Sequence, residues 1–88
     1  MRRAARVDSN QADICAALRT KGATVWIIGL PVDLLVGYKG HTFLMEVKTD
    51  SKKRFTGLQA DFFQNWKGGT LCRVDSLQAA LEMIRTAE

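Results

Sequence analysis

Asp33, Glu46 and Lys48 are the residues whose types and spacing could do chemistry together. Two carboxylates held side by side repel, and each raises the other's pKa. A divalent cation between them removes the conflict, because carboxylates, a main-chain carbonyl and waters are the donors Mg²⁺ accepts. A cation there would stabilise a phosphoryl oxygen and lower the pKa of a bound water. Lys48 would orient that water or balance the charge of a five-coordinate phosphorus. The plainer alternative is a carboxylate pair neutralised by Lys48 on a solvated sheet face.

The elements that must position these groups follow from the pattern around them. Residues 33–38 and 41–48 read as two strands joined at Lys39-Gly40, an acceptable tight turn. With those two residues at the tip, positions pair when their numbers sum to 79. Asp33 then lies opposite Glu46, with Lys48 on the same face. The other face receives Leu34, Val36, Phe43, Met45 and Val47, a consistent apolar set. A four-residue turn at Gly37–Gly40 would instead leave Glu46 diagonal to Asp33, still within reach of a shared ion. Residues 9–21 read as a helix capped by Asp8 or Ser9, and 23–29 as a β-branched strand. A helix from about Thr56 to Lys67 would bury Leu58, Phe62, Phe63 and Trp66. Residues 70–74 read as a strand, and about 76–87 as a helix capped by Asp75 or Ser76. The order α-β-β-β-α-β-α predicts an α/β domain with a mixed β-sheet flanked by helices.

The 88 residues make one domain, 47% apolar and 25% charged. A chain this short has a thin core, which a partner subunit would thicken. No apolar run is long enough to span a bilayer, so the expectation is a soluble, cytoplasmic protein without a signal peptide or a membrane partner. Cys15 and Cys72 read as reduced, packed thiols. With His41 the only histidine, a zinc site and a His-based triad are both disfavoured. The formal charge is +4, from 13 Lys and Arg against 9 Asp and Glu. Arg2, Arg3 and Arg6 form one basic group, in a flexible arm over residues 1–8; Lys52, Lys53 and Arg54 form another. Each is either a solvated segment or a phosphate contact. Trp26 and Trp66 read as core or subunit-contact residues, and Tyr38 and His41 as an exposed turn tip.

Pro31-Val32-Asp33, twelve residues, then Glu46-Val47-Lys48 resembles the signature of the PD-(D/E)XK nucleases. The closer resemblance is to the virus-type replication-repair nuclease (VRR-NUC) domain. It is carried by Gly29-Leu30-Pro31, Leu34-Leu35-Val36-Gly37, Phe43-Leu44-Met45, Gln59, and Val74-Asp75-Ser76-Leu77, and covers roughly residues 9–86. The resemblance implies a small restriction-endonuclease-like fold. It implies Mg²⁺ or Mn²⁺ held by Asp33, Glu46 and the Val47 carbonyl, with Lys48 as catalytic lysine and Gln59 beside the scissile phosphate. Gln59 also fits a capping box with Thr56. The chain departs from the family in the first helix, where Gln11 stands at the position of an expected glutamate and Asp13 lies two residues on.

The expected activity is metal-dependent, structure-selective DNA endonucleolysis. The substrate would be branched DNA such as a four-way junction, in a replication or repair setting. With no groove-reading helix in the sequence, DNA shape rather than base sequence would be read. A two-fold homodimer would place two sites across two strands, with Trp26, Phe63 and Trp66 as candidate contacts. Lys52, Lys53, Arg54 and Arg6 would contact phosphates. The alternative is a non-catalytic nucleic-acid-binding module; a third option is an accessory protein in which Glu46 and Lys48 form a mere ion pair.

Overall fold

A computed structural model describes residues 9–48 and 57–88. The basic groups at 1–8 and 52–54, the cap residue Asp8 and Thr56 lie outside the described residues. The elements run α1 (Ser9–Thr20), β1 (Thr24–Ile27), β2 (Leu34–Tyr38), β3 (His41–Val47), α2 (Gly57–Asn65), β4 (Thr70–Val74) and α3 (Leu77–Arg85).

Helix α1 buries Gln11, Ile14, Cys15 and Leu18, spaced to fall on one stripe. It ends in a Schellman motif. Ala23 N donates to Leu18 O at 3.0 Å and Gly22 N to Arg19 O at 3.0 Å, with Gly22 in the left-handed region (φ +102°). The chain then turns back into β1. The Arg19 guanidinium donates to Val25 O at 2.8 Å, which ties the helix to this edge strand.

The sheet order is β1-β2-β3-β4. The first three strands are antiparallel and β4 is parallel to β3, so the sheet is mixed. A parallel neighbour needs a crossover, and α2 lies in it. The hairpin turns on Lys39 (φ +50°) and Gly40 (φ +80°), both left-handed as a type I′ turn requires. Tyr38 pairs with His41 and Leu34 with Met45, the register in which paired numbers sum to 79.

Alternation then sorts the side chains. Leu34, Val36, Phe43, Met45 and Val47 are all buried, in one cluster with Ile14 and Leu18 of α1 and Ala80 and Ile84 of α3. Ser76 caps α3, its hydroxyl accepting from Ala79 N at 3.0 Å. Tyr38 belongs to this inner face as well. It is buried, not part of an exposed tip, and its hydroxyl donates to Glu88 Oε2 at 2.7 Å.

The opposite face is less covered. Helix α2 buries none of its residues, contrary to the expected stripe. Leu58 is exposed, and Trp66 lies past the helix end with its indole N–H on Gly69 O at 2.7 Å. The Trp66 ring occupies the space a Gly68 side chain would fill. Trp26 is 66% exposed and is not a core residue; it pairs with Leu35 on this face. Alternation selects Val25 for the core instead. Among the described residues no helix is long and apolar enough to cross a membrane.

Gly40→Val should destabilise the fold by about 1–2 kcal/mol, because a β-branched residue pays for the left-handed conformation. Urea unfolding checks this as a lower midpoint at unchanged slope. Burial pushes the Cys72 thiol up to about 11. Its alkylation by iodoacetamide at pH 8 should be roughly a hundredfold slower than that of a free thiol, and should accelerate as pH approaches that value.

Candidate functional site

The site forms where β3 leaves the sheet. Asp33 stands just before β2, at the end of a loop closed on its own carbonyl. Ile28 N and Gly29 N both donate to Asp33 O, at 2.9 and 3.2 Å. That loop contains the cis peptide Leu30–Pro31. Backbone pairing between β2 and β3 stops at Leu34 and Met45. Beyond it the Asp33 carboxylate takes over, Oδ2 accepting from Val47 N at 2.8 Å. The side chain is thereby anchored to the main chain of the residue that follows Glu46.

Glu46 is 2% exposed. Its two oxygens have different surroundings. Oε2 receives the Lys48 ammonium at 3.1 Å and the Gln59 side-chain amide at 2.9 Å. Oε1 is buried and has no hydrogen-bond partner among the described residues. Buried polar atoms are nearly always paired, and an orphaned carboxylate oxygen is a costly arrangement. Lys48 alternates onto the same face as Glu46, and its main-chain N–H donates to Val74 O at 3.0 Å, which fixes it against β4.

These groups fit a hard divalent cation. The donors are oxygens: Glu46 Oε1, the Asp33 carboxylate and the neighbouring main chain at Val47. Orphaned Oε1 is the position a cation would satisfy. Among the described residues no group of three or more His, Cys, Asp or Glu comes together.

Of the residues expected from sequence, Asp33, Glu46, Val47, Lys48 and Gln59 come together. Gln59 reaches the site from the first turn of α2. Its amide is on Glu46, while the capping box with Thr56 lies outside the described residues. Gln11 is buried on the core stripe of α1, and Asp13 is exposed. Residues two apart on a helix point to different faces, so Asp13 does not replace the expected glutamate. Helix α1 nevertheless starts close to this end of the sheet, since Asn10 Nδ2 donates to Asp75 O at 3.1 Å. Lys52, Lys53, Arg54 and Arg6 lie outside the described residues.

Arg73 was not apparent from sequence. It pairs directly with Glu46 across β3 and β4, is exposed, and shares its face. The signal was available in the parallel crossover, once β4 is aligned with β3.

Known protein families, curated proteins and solved structures offer no match to the chain. Lys48→Met leaves the buried Glu46 carboxylate without its ammonium and should cost about 1–3 kcal/mol. Adding Glu46→Gln to that variant should restore most of the loss. A double-mutant cycle in urea reads the coupling; additive losses would mean that the pair is solvated and weak.

Proposed function

We propose that the chain is a metal-dependent DNA endonuclease, selective for DNA structure, acting in an intracellular replication or repair setting. The observation that carries this reading is the Glu46 carboxylate. It is buried, held at Oε2 by Lys48 and Gln59, and unpartnered at Oε1 among the described residues, next in the chain to the Val47 N–H that anchors Asp33. Asp33 and Glu46 would hold Mg²⁺ or Mn²⁺. The resemblance to VRR-NUC domains adds the Val47 carbonyl as a further ligand and supports a small restriction-endonuclease-like fold. A cation so held supplies positive charge against the phosphate and acidifies a water.

The chain's own residues divide the remaining work. Attack by water forms a new P–O bond as the bond to the leaving sugar oxygen breaks. Negative charge builds on the phosphorus oxygens in between. The Lys48 ammonium has three N–H donors and directs one at Glu46 Oε2. The others are available to those oxygens. Gln59 positions the carboxylate by holding Oε2, which leaves Oε1 aimed away from the amide. Arg73, on the same face, would contact a neighbouring phosphate, as would Lys52, Lys53, Arg54 and Arg6. A two-fold dimer, with exposed Trp26 among its candidate contacts, would suit four-way or other branched DNA.

One observation favours a second reading, a non-catalytic nucleic-acid-binding module. Helix α1 presents Gln11, not a carboxylate, on its buried stripe. A panel of labelled duplex, flap, nicked and four-way DNA separates the two readings. The endonuclease should cut branched substrates with Mg²⁺ or Mn²⁺ and stop with chelator. Lys48→Ala and Asp33→Asn should each lower the rate by roughly a hundredfold or more while structure-selective binding persists. Binding without cleavage in the unaltered protein would favour the second reading.

A further inference from the structure

We propose that the cavity between Leu30 and Leu58 holds one unpaired nucleobase of the substrate strand. This deepens the nuclease reading and rests on it. The cavity measures about 270 Å³ and, among the described residues, is lined by Leu30, Pro31, Leu58 and Gln59. Leu30 is 72% exposed and Leu58 73%. Burying a leucine contributes about 1.5–3 kcal/mol, and these two forgo most of it. Both side chains are thus left free to contact an occupant of the cavity.

Their placement ties them to the site. Leu30 and Pro31 belong to the loop that ends at Asp33, and Asp33 is anchored on Val47 N at 2.8 Å. Leu58 precedes Gln59, whose amide is 2.9 Å from Glu46 Oε2. Both walls are thus fastened to the stretch of β3 that carries the carboxylate. The cavity begins one side chain away from Glu46, at Gln59, which lines both.

The lining selects the occupant. Among the described residues, two branched alkyl chains and a prolyl ring line it and present no charge and no donor to a phosphate. They suit the flat faces of a heteroaromatic ring, with its polar edge turned toward Gln59. Pockets for whole drug-sized ligands start near 300 Å³, so this one takes a single ring system rather than a folded segment. A base within a duplex is stacked and paired, so only an unpaired or extruded base can enter. The substrate class is DNA with an unpaired nucleotide beside the cleaved bond, at a flap, a loop or a junction centre. That requirement supplies a physical basis for structure selectivity without a groove-reading element.

The test compares a short single strand with an abasic strand of equal length and charge. Affinities are read by fluorescence anisotropy with Ca²⁺ replacing Mg²⁺. The protein should bind the base-bearing strand roughly tenfold tighter, the scale of one base–side-chain contact. Leu30→Ser/Leu58→Ser should erase that preference and leave abasic affinity unchanged, whereas Leu30→Met/Leu58→Met should keep it. Circular dichroism confirms that each variant is folded. Equal affinity in the unaltered protein, or a preference surviving the serine pair, overturns the proposal. If branched DNA is still cut with Mg²⁺, only the base cavity is wrong. If there is neither binding nor cleavage, the nuclease reading falls with it.

Discussion

A negative charge at Glu46 has been taken almost completely out of water, and the rest of the structure is arranged around that fact. An isolated buried carboxylate is costly, so its neighbours must compensate it. Lys48 provides charge, Gln59 provides a hydrogen bond, and both act on one oxygen. Among the described residues the other oxygen has no partner. Among the described residues, compensation thus reaches one oxygen and not the other. A fold under selection for stability alone would replace such a group with an apolar residue of similar volume.

The two faces of the sheet have separate duties. Helices α1 and α3 close the inner face with a continuous apolar cluster. The outer face carries Glu46, Lys48 and Arg73, and α2 reaches it through a polar contact instead of a buried stripe. A helix with few buried apolar contacts opens at lower free energy than the sheet it rests on. Gln59 and Leu58 therefore ride on the less firmly held element, whereas Asp33 and Glu46 are fixed by the hairpin. Such a division keeps the carboxylates on the hairpin and the Leu58 wall of the cavity on the element that opens more readily.

Much of this was legible in the sequence because a hairpin has few degrees of freedom. Lys39-Gly40 fixes the type I′ turn, the turn fixes the register, and the register sorts Leu34, Val36, Phe43, Met45 and Val47 from Glu46 and Lys48. The same register, extended by one pair, sets Asp33 opposite Glu46, whereas the observed pairing stops at Leu34 and Met45. Register alone misses that Asp33 is fastened by its side chain to Val47 N rather than by continued strand pairing. Helical spacing was less informative. Leu58, Phe62, Phe63 and Trp66 have the period of a buried stripe, but a periodicity cannot say whether anything packs against it. Leu58 is exposed, and Trp66 instead folds onto Gly68 and Gly69. Trp26 read as a core or subunit-contact residue; strand alternation assigns the core face to Val25 and leaves Trp26 exposed on the other face. Arg73 emerges only once β4 is aligned with β3, because pairing across a crossover depends on where a distant strand docks, which local pattern does not encode.

Whether Glu46 Oε1 and the Asp33 carboxylate converge on one hard cation is tested most directly by anomalous scattering from manganese-soaked crystals. Such crystals should show a single strong peak within coordination distance of both carboxylates, absent from crystals of Glu46→Gln. No peak there, or one that survives the substitution, would contradict that convergence.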